Sequence, residues 1–440
     1  MKSLKIPFIF TFIFLLLGNI TLAMAQKLSK KESNLIKTIE QNHEEAIIFL
    51  EKIVNINSGT MNHEGVKEVG MVFKEQFETI NFKTRWIDMP KEVNRAGHFF
   101  AEQQGKKGRK LLLIGHLDTV FEKDSPFQVF KKDGDIAYGP GTNDMKGGDV
   151  IILFALKALY QNKLLSDAQI IVAFTGDEES TGKPIDISRK DLIEAAKRSD
   201  VALGFETSTG FNYATVARRG SSGWELEVTG KRAHSSGIFK KNVGAGAIFE
   251  ASRILNTFYT DVKGEEFLTF NPGVILGGTD IEFDKEQNTG EAFGKSNVVA
   301  QKVVIKGGLR FISEEQKENA RLKMKKIVED NLPITSAKIS FKDSYPAMQP
   351  TEGNLKLLAL LNEVSRDLNQ GEVKAFDPGK RGAADTSFVA EYVDCLDGLG
   401  TMGKGAHTPN EFVDLSTFQD LTKRTALLIY RLINKKRGLE

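Results

Sequence analysis

The sequence predicts an α/β fold whose main sheet is mostly parallel, and three observations support this class. A continuous aliphatic run at 111–114 is typical of a strand that is buried on both faces. Short apolar runs at 170–174 and 201–205 alternate with segments that have apolar residues at helical spacing. A length of 440 residues with 40% hydrophobic content is enough for two domains with sizeable cores.

The first 25 residues have the composition of a secretory signal. Two lysines precede an apolar run from 6 to 17, and the small-x-small triplet Ala23-Met24-Ala25 stands directly before Gln26. The apolar run is short for a membrane span. We expect a signal peptide over residues 1–25, a secreted or periplasmic protein, and no stable membrane anchor after cleavage. An uncleaved N-terminal anchor is the alternative.

The charge balance argues against a nucleic-acid partner. Sixty basic residues against 58 acidic ones give a net charge of +2, and no long block of like charges stands out. Cys395 is the only cysteine, so the chain cannot form an intramolecular disulfide.

The first domain is predicted to begin at residue 26 and to run to 219. Its segments follow the alternation of helices and strands described above. Besides the three apolar runs, the predicted elements are helices at 31–56, 64–80 and 150–160 and strands at 83–86 and 97–102.

The pattern changes at Arg218-Arg219-Gly220, where a second domain is predicted to begin. Trp224, Leu226 and Val228 alternate with glutamates, so this strand has one exposed face, as strands of antiparallel sheets do. The capping box Ser313-Glu314-Glu315-Gln316 opens a helix that ends near 329. The other elements predicted here are a helix at 245–258 and strands near 274, at 298–305 and at 337–341.

These elements predict an inserted α+β domain over residues 220–342, with helices on one side of a ferredoxin-like antiparallel sheet. After it the first domain resumes over 343–440, with helices predicted at 355–368 and 416–433.

Each of the three apolar runs ends in residues that can bind a metal ion. His116-Leu117-Asp118 follows the first run, Asp177-Glu178-Glu179 the second, and Glu206 the third. Ligands bind at the carboxyl ends of strands in such sheets, so these side chains are expected to meet. An isolated acidic stretch is more often a solvated turn, and the three sets together favour a metal site over that alternative.

Two further candidate metal ligands lie in loops. Asp144 is at the centre of the glycine-rich loop 139–148, and His407 follows the segment 396–405. A phosphate-binding loop is the alternative for 139–148, but the P-loop pattern is absent and Asp144 would repel an anion. A carboxylate in this place suits a bridge between two cations.

Two imidazoles and three carboxylates suit a pair of divalent ions such as zinc, with cobalt or manganese as substitutes. A bridging Asp144 would hold two ions roughly 3.5 to 4 Å apart. Adjacent acids at a strand end point to different sides, so Glu179 is expected to be a ligand and Glu178 the general base that acts on metal-bound hydroxide. Asp118 can accept the second N–H of His116. The predicted ligands are His116, Asp144, Glu179, Glu206 and His407.

Several stretches, in this order, resemble the M20 family of dinuclear zinc peptidases and deacylases. They are Gly115-His116-Leu117-Asp118, Gly141-Thr142-Asn143-Asp144-Met145-Lys146-Gly147, Gly176-Asp177-Glu178-Glu179, Glu206, and Gly405-Ala406-His407-Thr408-Pro409-Asn410-Glu411. The resemblance implies that His116 and Glu206 hold one zinc and that Glu179 and His407 hold the other. It also implies that Asp144 bridges the two ions, that Asp118 orients His116, and that the peptide after Asp144 is cis.

The inserted domain resembles the lid and dimerisation domain of that family. His234 matches a position whose imidazole reaches into the partner's active site in dimeric relatives, which implies a homodimer. Asn297 and Arg310 match a pair that binds the substrate's terminal carboxylate, and the loop beginning at Gly382 resembles one that lines the same pocket. The chain is most similar to the glutamate carboxypeptidase branch, although relatives often have an aspartate at the position of Gly308.

The expected function is therefore that of a secreted zinc-dependent carboxypeptidase, with glutamate as the candidate leaving amino acid. Its substrates would be small peptides or N-acyl amino acids. An N-acyl-amino-acid deacylase or a dipeptidase with the same two-metal chemistry is the nearest alternative. A catalytically dead metal- or peptide-binding protein is a further one, and the presence of Glu178 argues against it.

Overall fold

The computed structural model describes residues 28–285 and 287–435. The signal peptide predicted over residues 1–25 lies outside this range and stays a prediction. Among the described helices, none is both long enough and apolar enough to cross a membrane.

The helices of the described chain include all of those predicted and several short ones. In chain order they are α1 (Lys30–Val54), α2 (His63–Thr79), α3 (Lys146–Gln161), α4 (Ile185–Ser188), α5 (Lys190–Ala196), α6 (Ala247–Thr257), α7 (Glu314–Glu329), α8 (Glu352–Asp367), α9 (Asp385–Val389) and α10 (Leu415–Asn434).

The strands belong to a main sheet, a second four-stranded sheet and smaller ladders. In chain order they are β1 (Lys83–Asp88), β2 (Gly97–Gln103), β3 (Lys107–His116), β4 (Lys131–Asp133), β5 (Ile136–Tyr138), β6 (Ala168–Thr175), β7 (Val201–Gly204), β8 (Tyr213–Ala214), β9 (Gly220–Gly230), β10 (Thr269–Gly278), β11 (Asp280–Asp284), β12 (Thr289–Phe293), β13 (Lys302–Phe311), β14 (Thr335–Asp343), β15 (Lys374–Ala375), β16 (Asp394–Leu396), β17 (Gly403–Lys404) and β18 (Phe412–Asp414).

The main sheet has the strand order β1-β2-β6-β3-β7-β16. β6, β3, β7 and β16 run parallel to one another, whereas β1 and β2 pair antiparallel with their neighbours. The predicted α/β class with a mostly parallel main sheet is therefore confirmed.

Both faces of this sheet are buried, because side chains that alternate along β3 enter two different cores. Leu111 and Leu113 pack in a large core formed with α1, α2, α3 and α10. Leu112 and Ile114 point to the other face, where they pack with Leu192 of α5. A strand with a core on each side must be apolar at every position, which explains the continuous run in the sequence.

The second sheet has the order β10-β13-β9-β14, and all its pairs are antiparallel. With α6 between β9 and β10, and α7 between β13 and β14, this is the ferredoxin-like arrangement that was predicted. Ile254 of α6 and Met324 of α7 pack on Leu226 and Ile305, so both helices cover one face. We call residues 220–343 the insertion. The predicted bounds of the domains, 26–219, 220–342 and 343–440, stay predictions.

Two chain segments join the insertion to the main sheet, and they lie side by side. Arg218 and Met348 exchange two main-chain hydrogen bonds of 2.8 and 3.0 Å. One step further along, Ser221 N donates to the carbonyl of Tyr345 at 2.8 Å. We call this antiparallel pair of segments the hinge ribbon.

Some elements differ from the predictions. The strand expected at 298–305 begins at Lys302 and continues to Phe311 as β13. The hairpin of β11 and β12 was not predicted, and every residue of β12 is exposed, so no buried face leaves an alternating pattern in its sequence.

Candidate metal centre

The predicted ligands converge at the carboxyl edge of the main sheet. His116 is the last residue of β3. The acidic residues Glu178 and Glu179 follow β6, and Glu206 follows β7. Because these three strands are parallel neighbours, their carboxyl ends lie next to one another.

Asp144 stands between two pairs of side chains. Its Oδ1 lies 3.5 Å from His116 Nε2, and its Oδ2 lies 3.2 Å from His407 Nε2. Glu206 Oε1 is 3.7 Å from the same nitrogen of His116. Glu179 Oε2 is 3.0 Å from the same nitrogen of His407. One carboxylate thus faces two imidazoles, each of which has a second carboxylate beside it.

The chemistry of these donors fits divalent metal ions. Ligand atoms of His116, Asp144 and Glu179 lie within 4.8 Å of one another, and so do those of His116, Glu178 and Glu206. Nε2 of His116 is buried and has no hydrogen-bond partner among the described residues. A buried imidazole nitrogen that faces carboxylate oxygens is the arrangement expected of a ligand for a borderline cation.

Asp118 holds both His116 and the acidic turn. His116 Nδ1 is 3.0 Å from the Asp118 carbonyl oxygen and 3.4 Å from its carboxylate. An Nδ1–H that donates to this carbonyl leaves Nε2 directed at the site. The Asp118 carboxylate accepts hydrogen bonds from Thr60 Oγ1 at 2.6 Å and from the main-chain N–H groups of Glu178 and Glu179 at 3.0 and 3.2 Å. Asp118 therefore orients His116 chiefly through its main chain.

The loop that carries Asp144 is held by Glu411, to which the sequence analysis assigned no role. Glu411 Oε1 accepts the N–H groups of Asn143 and Asp144 at 2.9 and 3.0 Å. Lys146 is buried and donates to two main-chain carbonyls at and just beyond the end of α1, at 3.0 and 2.9 Å. The peptide between Asp144 and Met145 is cis, as the family resemblance implies.

The side chains of the cluster shift one another's pKa values. Hydrogen bonds with Asp144 and Glu179 raise the pKa of His407 to about 11. Burial, followed by the charge of Asp144, raises the pKa of Glu206 to about 7. Burial and the neighbouring Glu206 raise the pKa of Glu178 well above its usual range. Bound cations would compensate this crowded negative charge and lower the pKa of each carboxyl group.

The other predicted site residues lie on or beside the insertion. His234 is exposed, and its Nδ1 lies 2.9 Å from Ser236 Oγ within its own loop. The carbonyl of Asn297 accepts the N–H of Ser235 at 2.9 Å. Arg310 is exposed on the face of the second sheet that the helices leave open. Within the described ranges, His234, Asn297, Arg310 and Gly382 form no hydrogen bond or ion pair with the five predicted ligands, and their roles stay predictions.

A buried network beneath the acidic turn was not predicted. Arg189 Nη1 donates to Asp177 Oδ1 at 2.5 Å, and Arg189 Nε lies 2.8 Å from Asp385 Oδ1. Asp385 Oδ2 in turn accepts a hydrogen bond from Thr175 Oγ1 at 2.5 Å. His98 also supports the turn, because its Nδ1 accepts the Gly176 N–H at 3.2 Å. Asp177 lies in a family motif, but no motif marks Arg189 or His98 as its partners.

A mostly parallel sheet with histidines and carboxylates at its carboxyl edge, together with a ferredoxin-like insertion, defines a metal-dependent hydrolase. The family model for Peptidase family M20/M25/M40 matches residues 112–431, and the chain belongs to this family. The family resemblance stated from the sequence is thereby confirmed.

Relatives in this family carry several activities. Carboxypeptidase G2 of Pseudomonas sp. (strain RS-16) is 28% identical over 419 residues, covering 92% of this chain and 94% of the relative. Succinyl-diaminopimelate desuccinylase of Rickettsia bellii (strain OSU 85-389) is 24% identical over 394 residues, covering 85% and 93%. The crystal structure of a tripeptidase from Staphylococcus aureus superposes with a TM-score of 0.65 at 18% identity, over 90% of this chain and 99% of the tripeptidase, which shows a shared fold.

Proposed function

We propose that this member of the family is a secreted, zinc-dependent carboxypeptidase that hydrolyses the amide bond to a C-terminal amino acid. The observation that carries the proposal is the position of Asp144 between His116 and His407, with Glu178 in the same cluster. This arrangement offers two adjoining sets of possible ligands, and we assign Glu178, which lies beside His116 and Glu206, to proton transfer. In the proposal two zinc ions occupy the sets, and cobalt or manganese could replace zinc.

The protein's own groups have separate tasks in this reaction. Bound divalent ions supply positive charge that polarises the substrate carbonyl and makes a water molecule more acidic. Glu178 accepts the proton of the attacking water and returns it to the leaving amine. Asp118 fixes Glu178 by accepting its main-chain N–H at 3.0 Å. His234 of a second subunit stabilises the negative charge that develops on the carbonyl oxygen, which requires a homodimer.

The preference for a terminal carboxylate rests on Arg310 and Asn297. Arginine binds carboxylates through two parallel hydrogen bonds, and Arg310 is exposed and available for this. The similarity to a carboxypeptidase supports this choice. Glutamate is the leaving amino acid that we propose. Gly308 lies two residues before Arg310 on the same face of β13. Relatives often carry an aspartate at this position, and the glycine leaves that face without it.

An N-acyl-amino-acid deacylase is the second candidate, because another relative is a desuccinylase. Both reactions release an amine from an amide bond, so the same cluster serves either one. A dipeptidase would use the same chemistry on a substrate with a free amino group. The three activities differ in what the pocket binds on the acyl side of the scissile bond.

The test is a substrate panel with the zinc-loaded mature protein, with released amino acids detected by mass spectrometry. The panel holds free dipeptides, N-blocked peptides and N-acyl amino acids with acidic and neutral C-terminal residues. Chelator-sensitive release from N-blocked peptides, strongest for glutamate, supports the proposal. Release from free dipeptides alone indicates a dipeptidase, and release from N-acyl amino acids alone indicates a deacylase.

The same assay tests the proton-transfer role. We expect Glu178→Gln to bind zinc normally and to lower kcat by about 100- to 10,000-fold, the usual range for loss of a general base. The matched control is Glu44→Gln, which makes the same change at an exposed position of α1. Full turnover by the Glu178 variant with zinc bound would contradict the mechanism.

A further inference from the structure

Tyr345 lies in the hinge ribbon and reaches the acidic turn of the metal centre. Its carbonyl accepts the N–H of Ser221 at 2.8 Å, which fixes the residue to the segment that enters the insertion. Its side chain extends in the other direction, toward the loop after β6. Tyr345 therefore connects the hinge ribbon with the part of the main sheet that carries Glu178 and Glu179.

The hydroxyl group of Tyr345 makes the contact with this turn. It donates a hydrogen bond to the main-chain carbonyl of Glu178 at 3.1 Å and is also hydrogen-bonded to Thr181 Oγ1. The ring packs against Phe388, with the centroids 5.0 Å apart. A tyrosine hydroxyl has an ordinary pKa of about 10, which burial raises further here, so it is protonated at neutral pH and can donate.

Glu178 is thus held on both sides of its α-carbon. Its N–H donates to Asp118 Oδ1 at 3.0 Å, and its C=O accepts from Tyr345. The far end of the turn is fixed as well, because the Gly182 N–H donates to Asp177 Oδ2 at 2.8 Å. With both flanking peptide groups tethered, the direction in which the side chain of Glu178 leaves the main chain is set.

We propose that Tyr345 is a positioning residue for Glu178, and that it acts through the hydrogen bond from its hydroxyl to the Glu178 carbonyl. The inference rests on the proposed function, in which Glu178 transfers the proton. A displacement of about 1 Å in a reacting group can lower a rate about 100-fold, so a single tether of this kind has a measurable effect. Because the tether is carried by the hinge ribbon, the position of Glu178 also depends on that ribbon.

A purely structural role for Tyr345 would act through its ring. The contact with Phe388 alone would stabilise the fold without affecting the reaction. Tyr345→Phe separates the two roles, because it keeps the ring and removes only the hydroxyl group. The matched control is Tyr160→Phe, which removes the hydroxyl that accepts a 2.8 Å hydrogen bond from Asn81. Tyr160 lies near the C-terminal end of α3, about 20 Å along the helix from the end that adjoins Asp144.

The experiment uses the zinc-loaded, full mature chain and three readouts: steady-state kinetics, zinc content and hydrogen exchange of the peptide covering residues 176–183. For Tyr345→Phe we expect kcat to fall about tenfold with KM within about threefold, because the ground-state contacts of the substrate are unchanged. Zinc content should equal that of the wild type, and the amides of the turn should exchange faster. Tyr160→Phe should match the wild type in all three.

Two results would overturn the inference: a kcat within twofold of wild type, or unchanged exchange in residues 176–183. Because Tyr345→Phe keeps the ring, an unchanged kcat with faster exchange would show that the hydroxyl holds the turn without positioning Glu178 for the reaction. Failure of the proposed function is a distinct result, because Glu178→Gln would then keep its turnover or the wild type would cleave no amide. In that case hydrogen exchange still decides whether the hydroxyl of Tyr345 holds the turn.

Discussion

At the scale of single residues, two buried carboxylates hold the loops that carry the predicted ligands. Asp118 accepts the consecutive N–H groups of Glu178 and Glu179, and Glu411 accepts those of Asn143 and Asp144. A carboxylate that bonds two successive main-chain donors fixes the direction of the chain at that point. The ligand geometry therefore depends on residues that do not themselves face the candidate ions.

The role of Glu411 leads to a prediction about zinc affinity. Glu411→Ala should weaken zinc binding by about 10- to 100-fold, because residues behind the ligands commonly contribute that much. Glu411→Gln keeps one oxygen acceptor and should recover most of the affinity. Zinc titration with a competing chelator measures both. The control is Glu391→Ala, a surface change, and equal affinity in Glu411→Ala and the control would show that Asp144 needs no such support.

At the scale of elements, the start of α3 packs tightly under the Asp144 loop. A Cβ atom added at Gly147 would lie 2.3 Å from the main-chain oxygen of Thr142. A Cβ at Gly115, at the end of β3, would lie 1.9 Å from Asp149 Oδ1 of the same helix. Contacts as close as these exclude side chains, so both glycines are needed for the helix, the strand and the loop to approach one another.

This packing predicts that Gly147→Ala damages the candidate metal centre. The added methyl group must push the loop away from α3, which should cost about 1–3 kcal/mol of stability and reduce zinc content. Thermal unfolding and metal analysis of the purified variant measure the two effects. Gly308→Ala is the control, since an added Cβ there meets no atom within 4 Å. Equal zinc content in the two variants would contradict the prediction.

The strands and helices also show how much of the fold can be predicted from the sequence. The strands β3 and β6 were found because burial on both faces requires continuous apolar runs, and their ends identify the site because parallel strands end together. The α3 helix begins at Lys146, four positions earlier than predicted, because its first turn is made of glycines and buried charged residues that do not follow helical periodicity.

The partners of the acidic turn could not be predicted for a different reason. Arg189 and Asp385 are separated along the chain, and an arginine followed by a lysine in a polar segment resembles an exposed surface. Only the folded chain shows that Arg189 is fully buried between two aspartates. The predicted ligands come together because parallel strands end at the same edge of the sheet. The contacts of Arg189 with the two aspartates depend instead on side-chain packing in three dimensions.

At the scale of the whole molecule, zinc binding should be coupled to both stability and pH. His407 must be neutral to bind a metal ion, but its pKa in the ion-free protein is about 11, above the ordinary value of 6.5. If zinc occupies the site as proposed, it should therefore displace a proton at neutral pH, and its affinity should fall as the pH falls. Without zinc, the stability of the fold depends on pH in the opposite direction. Because the pKa of His407 is raised in the folded protein, its protonated form stabilises the fold fully below about pH 6.5, and this contribution is lost as the pH rises toward 11.

We therefore expect saturating zinc to raise the melting temperature, and the increase to be larger at pH 8 than at pH 6. Calorimetry in buffers of different ionisation enthalpy should show net release of protons when zinc binds at pH 7.5. His407→Ala should lose most of this release. Proton uptake, or a larger gain at pH 6, would contradict the assignment of His407 as a ligand.

The hinge ribbon has a consequence for protein engineering. Ser221 and Tyr345 are neighbours joined by a hydrogen bond of 2.8 Å, although 124 positions separate them in sequence. The chain thus leaves and re-enters the main body at almost the same point. A genetic exchange at these two positions would replace the whole intervening segment as a cassette while keeping the carboxyl edge of the parent sheet. Chimaeras built at this junction would share one set of loops with the predicted ligands and differ in the insertion.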